Sequence, residues 1–195
     1  MLNNKMVMNI INVKFFLHFN YSLLSIIFLL LLSFKVDLLS ADTDFDKYAL
    51  FASTAKRAES ATPVDSPLPL EFKKNDRIAL IGNTLFDRMR DYGHFESIIQ
   101  QSHPNLNLVV RNLAWSADEI DLQPRPDNFA DTEQHLTAMK ADIIIAAFGF
   151  NESFAGEKHL SSFETRLSEY LLNIRSKSYN SKSPPKVVLI FSNSK

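Results

Sequence analysis

The stretch Ile78-Ala79-Leu80-Ile81-Gly82-Asn83-Thr84 decides how this chain reads. Four apolar residues in a row make a short buried strand, Gly82 lets the backbone turn sharply, and amphipathic sequence follows at once. Strand, tight turn and helix in that order belong to an open α/β sheet, where ligands bind outside the carboxyl ends of the strands. Asn83 and Thr84 stand at such an end. A plainer reading of the same residues makes Gly82 a turn glycine and Thr84 a helix N-cap.

Downstream the alternation continues. Leu85, Phe86 and Met89 recur at helical spacing; Gly93 interrupts them, Phe95, Ile98 and Ile99 resume, and Pro104 lies beyond the helix end. A second strand is expected over residues 106–113, a loop over 114–131 and a short helix over 132–140, with His135, Leu136 and Met139 on one face. Residues 142–150 hold the most apolar run, as a central strand covered on both faces would. Leu160, Phe163, Leu167, Leu171 and Ile174 stripe a helix reaching to about residue 177, and a fourth strand follows over 186–191. The order β-α-β-α-β-α-β predicts a parallel sheet, right-handed crossovers and helices on both faces.

Upstream the material changes. Lys5 and Lys14 precede an apolar run, residues 21–34, and small residues follow at Ser40-Ala41. A basic start, an apolar middle and a small-residue end read as a secretory signal peptide over residues 1–41. The run falls short of the about 20 apolar residues of a spanning helix, but extended back through Phe15, Phe16 and Leu17, with His18 and Asn20 interrupting, it approaches that length, so an uncleaved signal anchor is the alternative. Either way the remainder is exported, to periplasm or extracellular space, and touches a membrane only through this segment. Residues 42–76 form a lead-in: a short helix is expected over 47–61, and Pro63, Pro67 and Pro69 then favour extended backbone. Residues 77–195 form the folded domain. Another helix is expected beyond residue 195 to cover the last strand, so the domain reads as incomplete.

Composition narrows the function. An apolar fraction of 46% and a charged fraction of 22% are those of a globular protein. A net charge of −1 gives no basic footprint for nucleic acid. The absence of cysteine excludes disulfides, thiolate metal sites and iron–sulfur clusters within these residues, and the five histidines have no zinc-motif spacing. No metal or cofactor is called for. Four glycines, with no glycine-rich loop after the first strand, argue against a nucleotide or flavin binder.

Three polar clusters follow strand ends: Gly82-Asn83-Thr84, Asn112-Leu113-Ala114-Trp115-Ser116-Ala117-Asp118, and Gly149-Phe150-Asn151-Glu152. In a parallel sheet these loops converge on one edge. In that order the clusters resemble the first three blocks of the SGNH (GDSL) hydrolase family. The resemblance implies a three-layer α/β/α fold with a flavodoxin-like parallel sheet, the first strand between the second and third. It further implies ester hydrolysis, on acyl or acetyl esters and possibly esters of carbohydrate. Thr84 would hold the nucleophile position, and the Ala117 backbone N–H and the Asn151 side chain would stabilise the oxyanion. Asn83, Trp115 and Glu152 would contact substrate.

The departures from the family pattern are specific. Thr84 replaces serine, and its β-methyl restricts the side chain. Asn83 replaces aspartate. Ala117 replaces a glycine, so its N–H serves only if alanine adopts that glycine's backbone angles. The family's Asp-x-x-His block is absent from these residues, and without a base a hydroxyl is a weak nucleophile. His94 lies in or beside the first helix; His103, His135 and His159 read as surface or capping residues. The variant blocks are also similar to a divergent domain at the front of long exported bacterial proteins that carry a propeller and a haem-binding segment further on. A non-catalytic module of the same fold, binding a glycan or a neighbouring domain, is the alternative to the enzyme.

Overall fold

A computed structural model describes residues 49–191; the expected signal segment, the start of the expected lead-in and residues 192–195 lie outside them. Ten elements follow in chain order: β1 Glu59–Ser60, β2 Arg77–Gly82, α1 Thr84–Met89, α2 His94–Ser102, β3 Val109–Asn112, α3 Thr132–Met139, β4 Ile143–Ala147, α4 Leu160–Arg175, β5 Lys177–Ser178 and β6 Lys186–Leu189. Two 3₁₀ turns, Glu152–Ala155 and Glu157–His159, bridge β4 to α4.

Four strands form one parallel sheet in the order β3-β2-β4-β6. The expected first strand therefore lies between the second and third. Side chains alternate across the sheet because the strand period is two. Ala79, Ile81, Ile144 and Ala146 pack with Leu136 and Met139 of α3 and Leu167 and Ile174 of α4. Ile78, Leu80, Ile143 and Ile145 pack on the other face with Phe86 of α1 and Ile99 of α2. The result is an α/β sandwich with helices on both sides, and the continuous apolar run of β4 is buried along its whole length. A truncation such as Ile144→Ala removes packing that is worth about 2–5 kcal/mol at sites of this kind.

Gly82 is fixed by the closeness of the two central strands. It pairs with Ala147 and adopts φ +128°; a Cβ there would stand 2.1 Å from the Ala147 carbonyl oxygen. No other residue type fits without parting β2 from β4.

The lead-in departs from expectation. No helix forms over 49–61. Phe51 instead bridges Phe129, a turn follows, and β1 pairs antiparallel with β5. The Gln134 side chain donates to the carbonyls of Ala52 and Ala55, each at 2.9 Å, fastening the turn to α3. Further on, the Ser66 hydroxyl accepts the Val187 N–H at 2.9 Å at the edge of β6. Long-range partners thus replace local helical bonds. The strands are also shorter than expected: Asn107 takes a left-handed φ of 49°, which delays β3 to Val109. Ile98 is exposed; Ile99 is buried and Phe95 packs partly buried beside it on the core face of α2.

Candidate active site at the carboxyl edge

Backbone hydrogen bonds carry the sheet past its strand ends and hold the polar loops side by side. The Trp115 N–H donates to the Gly82 carbonyl at 3.2 Å, and the Asn83 N–H donates to the Ala147 carbonyl at 3.2 Å. Gly82-Asn83 is therefore tied to the second cluster on one side and to the end of β4 on the other.

Asn83, not Thr84, caps α1. Its side-chain oxygen accepts the Leu85 N–H at 3.4 Å, and its backbone is extended. Thr84 is the first helical residue, so its hydroxyl is not spent on capping. That hydroxyl accepts the Ala117 N–H at 3.5 Å. Ala117 has φ +67°, the left-handed region that favours glycine, so the alanine does adopt such angles. A neighbouring network braces this loop. The Ser116 hydroxyl donates to Asp87, Arg90 donates to the Ala114 carbonyl at 2.7 Å, and the Asn112 side chain accepts the Ala114 N–H at 3.1 Å.

Asn151 follows β4 by four residues and opens the 3₁₀ turn at φ −69°. It is half-buried, and its side chain makes no hydrogen bond among the described residues. Glu152, expected to contact substrate, is bonded to backbone here. It is buried, and its carboxylate accepts the Ile120 N–H at 3.0 Å and the Gly149 N–H at 2.9 Å. Each oxygen accepts one backbone N–H, so Glu152 ties the third loop to Ile120.

Trp115 is 40% exposed, which leaves part of the ring open to solvent. The Arg125 guanidinium lies 4.6 Å from the ring centroid, and Phe129 meets the ring edge-on at 5.7 Å. Arg125 also grips the buried Asp118 with two bonds, at 2.8 and 2.6 Å. The last residue of the second cluster is thus held by an arginine that also stacks on the tryptophan. Sequence reasoning missed Arg125, because nothing in its spacing marks it.

A cavity of about 310 Å³ opens beside Thr84, walled by Leu85, Ala147, Phe148, Phe150 and Ile190, with Asn83 and Arg88 completing it. Among the described residues, no histidine, aspartate or glutamate lines it. His94 begins α2, His103 follows that helix and packs on Phe72, and His159 precedes α4. His135 is half-buried beside Phe129; burial, with help from Arg125, holds its pKa below the usual 6.5.

No family model matches the chain, and no curated protein matches it. Among solved structures, the chain is similar to a gut microbial diltiazem-metabolizing enzyme, at 19% identity and a TM-score of 0.37. The similar region covers 62% of this chain and 27% of that one.

Proposed function

We propose that this chain is an exported hydrolase-like domain of the SGNH type, its chemistry directed at acyl or acetyl esters, including esters of carbohydrate. The observation that carries the reading is the contact between the Ala117 N–H and the Thr84 hydroxyl. It puts a backbone donor beside a hydroxyl at the carboxyl edge, with the donor residue in a glycine-like conformation. The parallel order β3-β2-β4-β6, with the first strand of that sheet between the second and third, supports it. In this reading Thr84 occupies the nucleophile position, and Ala117 and Asn151 form the oxyanion hole; comparable donors contribute about 3–4 kcal/mol each to the transition state. With no base beside Thr84 among the described residues, its hydroxyl is a weak nucleophile and turnover is slow.

An amide titration tests the hole. Acetate added to ¹⁵N-labelled protein should shift the Ala117 N–H and the Asn151 side-chain amide with one midpoint. Independent midpoints, or no shift at either, would separate the two donors.

Among the described residues the cavity beside Thr84 has no carboxylate or imidazole in its walls, and this favours a second reading: a non-catalytic module that binds a glycan or a neighbouring domain. Trp115 and Asn83 would then contact the ligand. Export rests on residues 1–41, with 42–76 as a lead-in to the 77–195 domain. Fractionation of cells making the full chain checks it, and recovery of unprocessed protein in the soluble cytoplasm would contradict it. Domains further along a longer exported protein are part of the same proposal.

A further inference from the structure

The cavity beside Thr84 has an uneven chemistry. Five of its walls are apolar: Leu85, Ala147, Phe148, Phe150 and Ile190. Its charged member is a cation, Arg88, which lies four residues along α1 from Thr84 and hence on the same helical face. Arg88 is exposed and has no acidic partner within 4 Å among the described residues, unlike Arg90 on the same turn, which pairs with Asp87. Asn83 adds a second observation. It is 2% exposed, and its side-chain N–H₂ group is buried without an acceptor among the described residues. A buried donor left unsatisfied is costly, and an oxygen atom entering the cavity would relieve it.

Among the described residues, an apolar chamber, one cation at its side, one unsatisfied donor and no carboxylate in the walls fit one kind of ligand. We propose that this cavity binds a small monocarboxylate with an apolar chain, the chain lying against Phe148, Phe150 and Ile190 and the carboxylate held by Arg88. Arginine suits that end because its fork matches the two carboxylate oxygens. A neutral ester or alcohol of equal length would fill the chamber but leave Arg88 without an anion. The proposal deepens the ester-hydrolase reading and rests on it for the ligand's role. Hydrolysis adds water across the acyl C–O bond and leaves an acid and an alcohol, so the acid is a product that this cavity would retain.

Equilibrium dialysis of the full chain against labelled hexanoate, hexanol and acetate tests it. Hexanoate should bind more tightly than hexanol, by about threefold or more for a solvent-facing ion pair. It should also bind more tightly than acetate, which has the charge without the chain. Arg88→Gln should bring hexanoate down to the level of hexanol and leave hexanol unchanged; Arg88→Lys should keep part of the preference. Arg88 is on the surface, and an unchanged thermal midpoint would show that the variants fold. Equal binding of hexanoate and hexanol, a preference that survives Arg88→Gln, or no binding by any of the three would overturn the proposal. Occupancy is read without turnover, so a protein that binds hexanoate yet hydrolyses no ester would sink the enzyme reading alone.

Discussion

The Ala117 N–H and the Thr84 hydroxyl meet across 3.5 Å, although 33 residues separate them in the chain. The contact exists because Gly82 and the loop after β3 share a backbone bond one step earlier, from Trp115 to Gly82. Everything proposed for the carboxyl edge depends on that junction staying closed.

Gly82→Ala should open it. The added Cβ would run into the Ala147 backbone, and φ +128° is itself strained for alanine. A loss of about 3 kcal/mol or more is expected from overpacking and strain together. Gly93→Ala is the control: its φ is +62°, with open space around the new methyl, so about 1 kcal/mol is expected. Urea unfolding of both variants measures the difference, and equal losses would mean that the central strands can part cheaply.

Glu152→Gln should loosen the third loop. One carboxylate oxygen becomes an amide that cannot accept, leaving the Ile120 or Gly149 N–H unpaired in a buried place. The expected cost is about 1–3 kcal/mol. Hydrogen exchange at Ile120 and Gly149 should quicken before exchange in the central strands does. Protection unchanged at both amides would show that the carboxylate is not what holds them.

Arg125→Met should destabilise the chain by about 3–5 kcal/mol, because it leaves Asp118 buried and unpaired. The Asp118 and Arg125 side chains are 5% and 10% exposed, so solvent cannot take over the charge. The double change Asp118→Leu with Arg125→Met should recover much of the loss. Trp115 is the sole tryptophan, and the guanidinium over its ring leaves in both variants. Its fluorescence should therefore change in both, whether or not stability returns. An unchanged emission spectrum would refute the stacking.

Stability should fall on both sides of neutral pH. Burial lowers the His135 pKa from 6.5, so the folded state resists protonation. Below pH 6.5 the unfolded chain takes up a proton that the folded chain does not, and stability drops as pH falls. Burial pushes Tyr170 up from 10 to about 12, and Tyr179 is raised as well. Above pH 10 the unfolded phenols ionise first, and stability drops as pH rises towards 12. Thermal midpoints across this range check both limbs. His135→Phe should flatten the acid limb and leave the alkaline limb as it was; an acid limb of unchanged slope would assign it to other groups.

The sheet was legible because its strands are strongly apolar and each is followed by a helix stripe or a turn signal. The Ile143–Ala147 run announces a central strand in any context. The lead-in was not legible. Glu59–Ser60 is a strand only because Lys177–Ser178 lies opposite, more than a hundred residues away, and no local pattern encodes that pairing. The three polar clusters could be read as loops of one edge, but not the work of each residue within them. Glu152 looks the same in sequence whether its carboxylate faces a ligand or two backbone N–H groups. Asn83 takes the cap that Thr84 was a candidate for, and only the backbone angles separate the two. Arg88 could have been noticed from its i+4 spacing to Thr84, had the cavity been known.

The most direct test compares p-nitrophenyl acetate turnover by the full chain, by Thr84→Ser and by Thr84→Ala. If the Thr84 hydroxyl attacks the ester beside the Ala117 N–H, the native chain should exceed buffer slightly. Thr84→Ser, without the restricting methyl, should match or exceed it, and Thr84→Ala should fall to the buffer rate. The same rate in all three proteins would contradict Thr84 as the nucleophile.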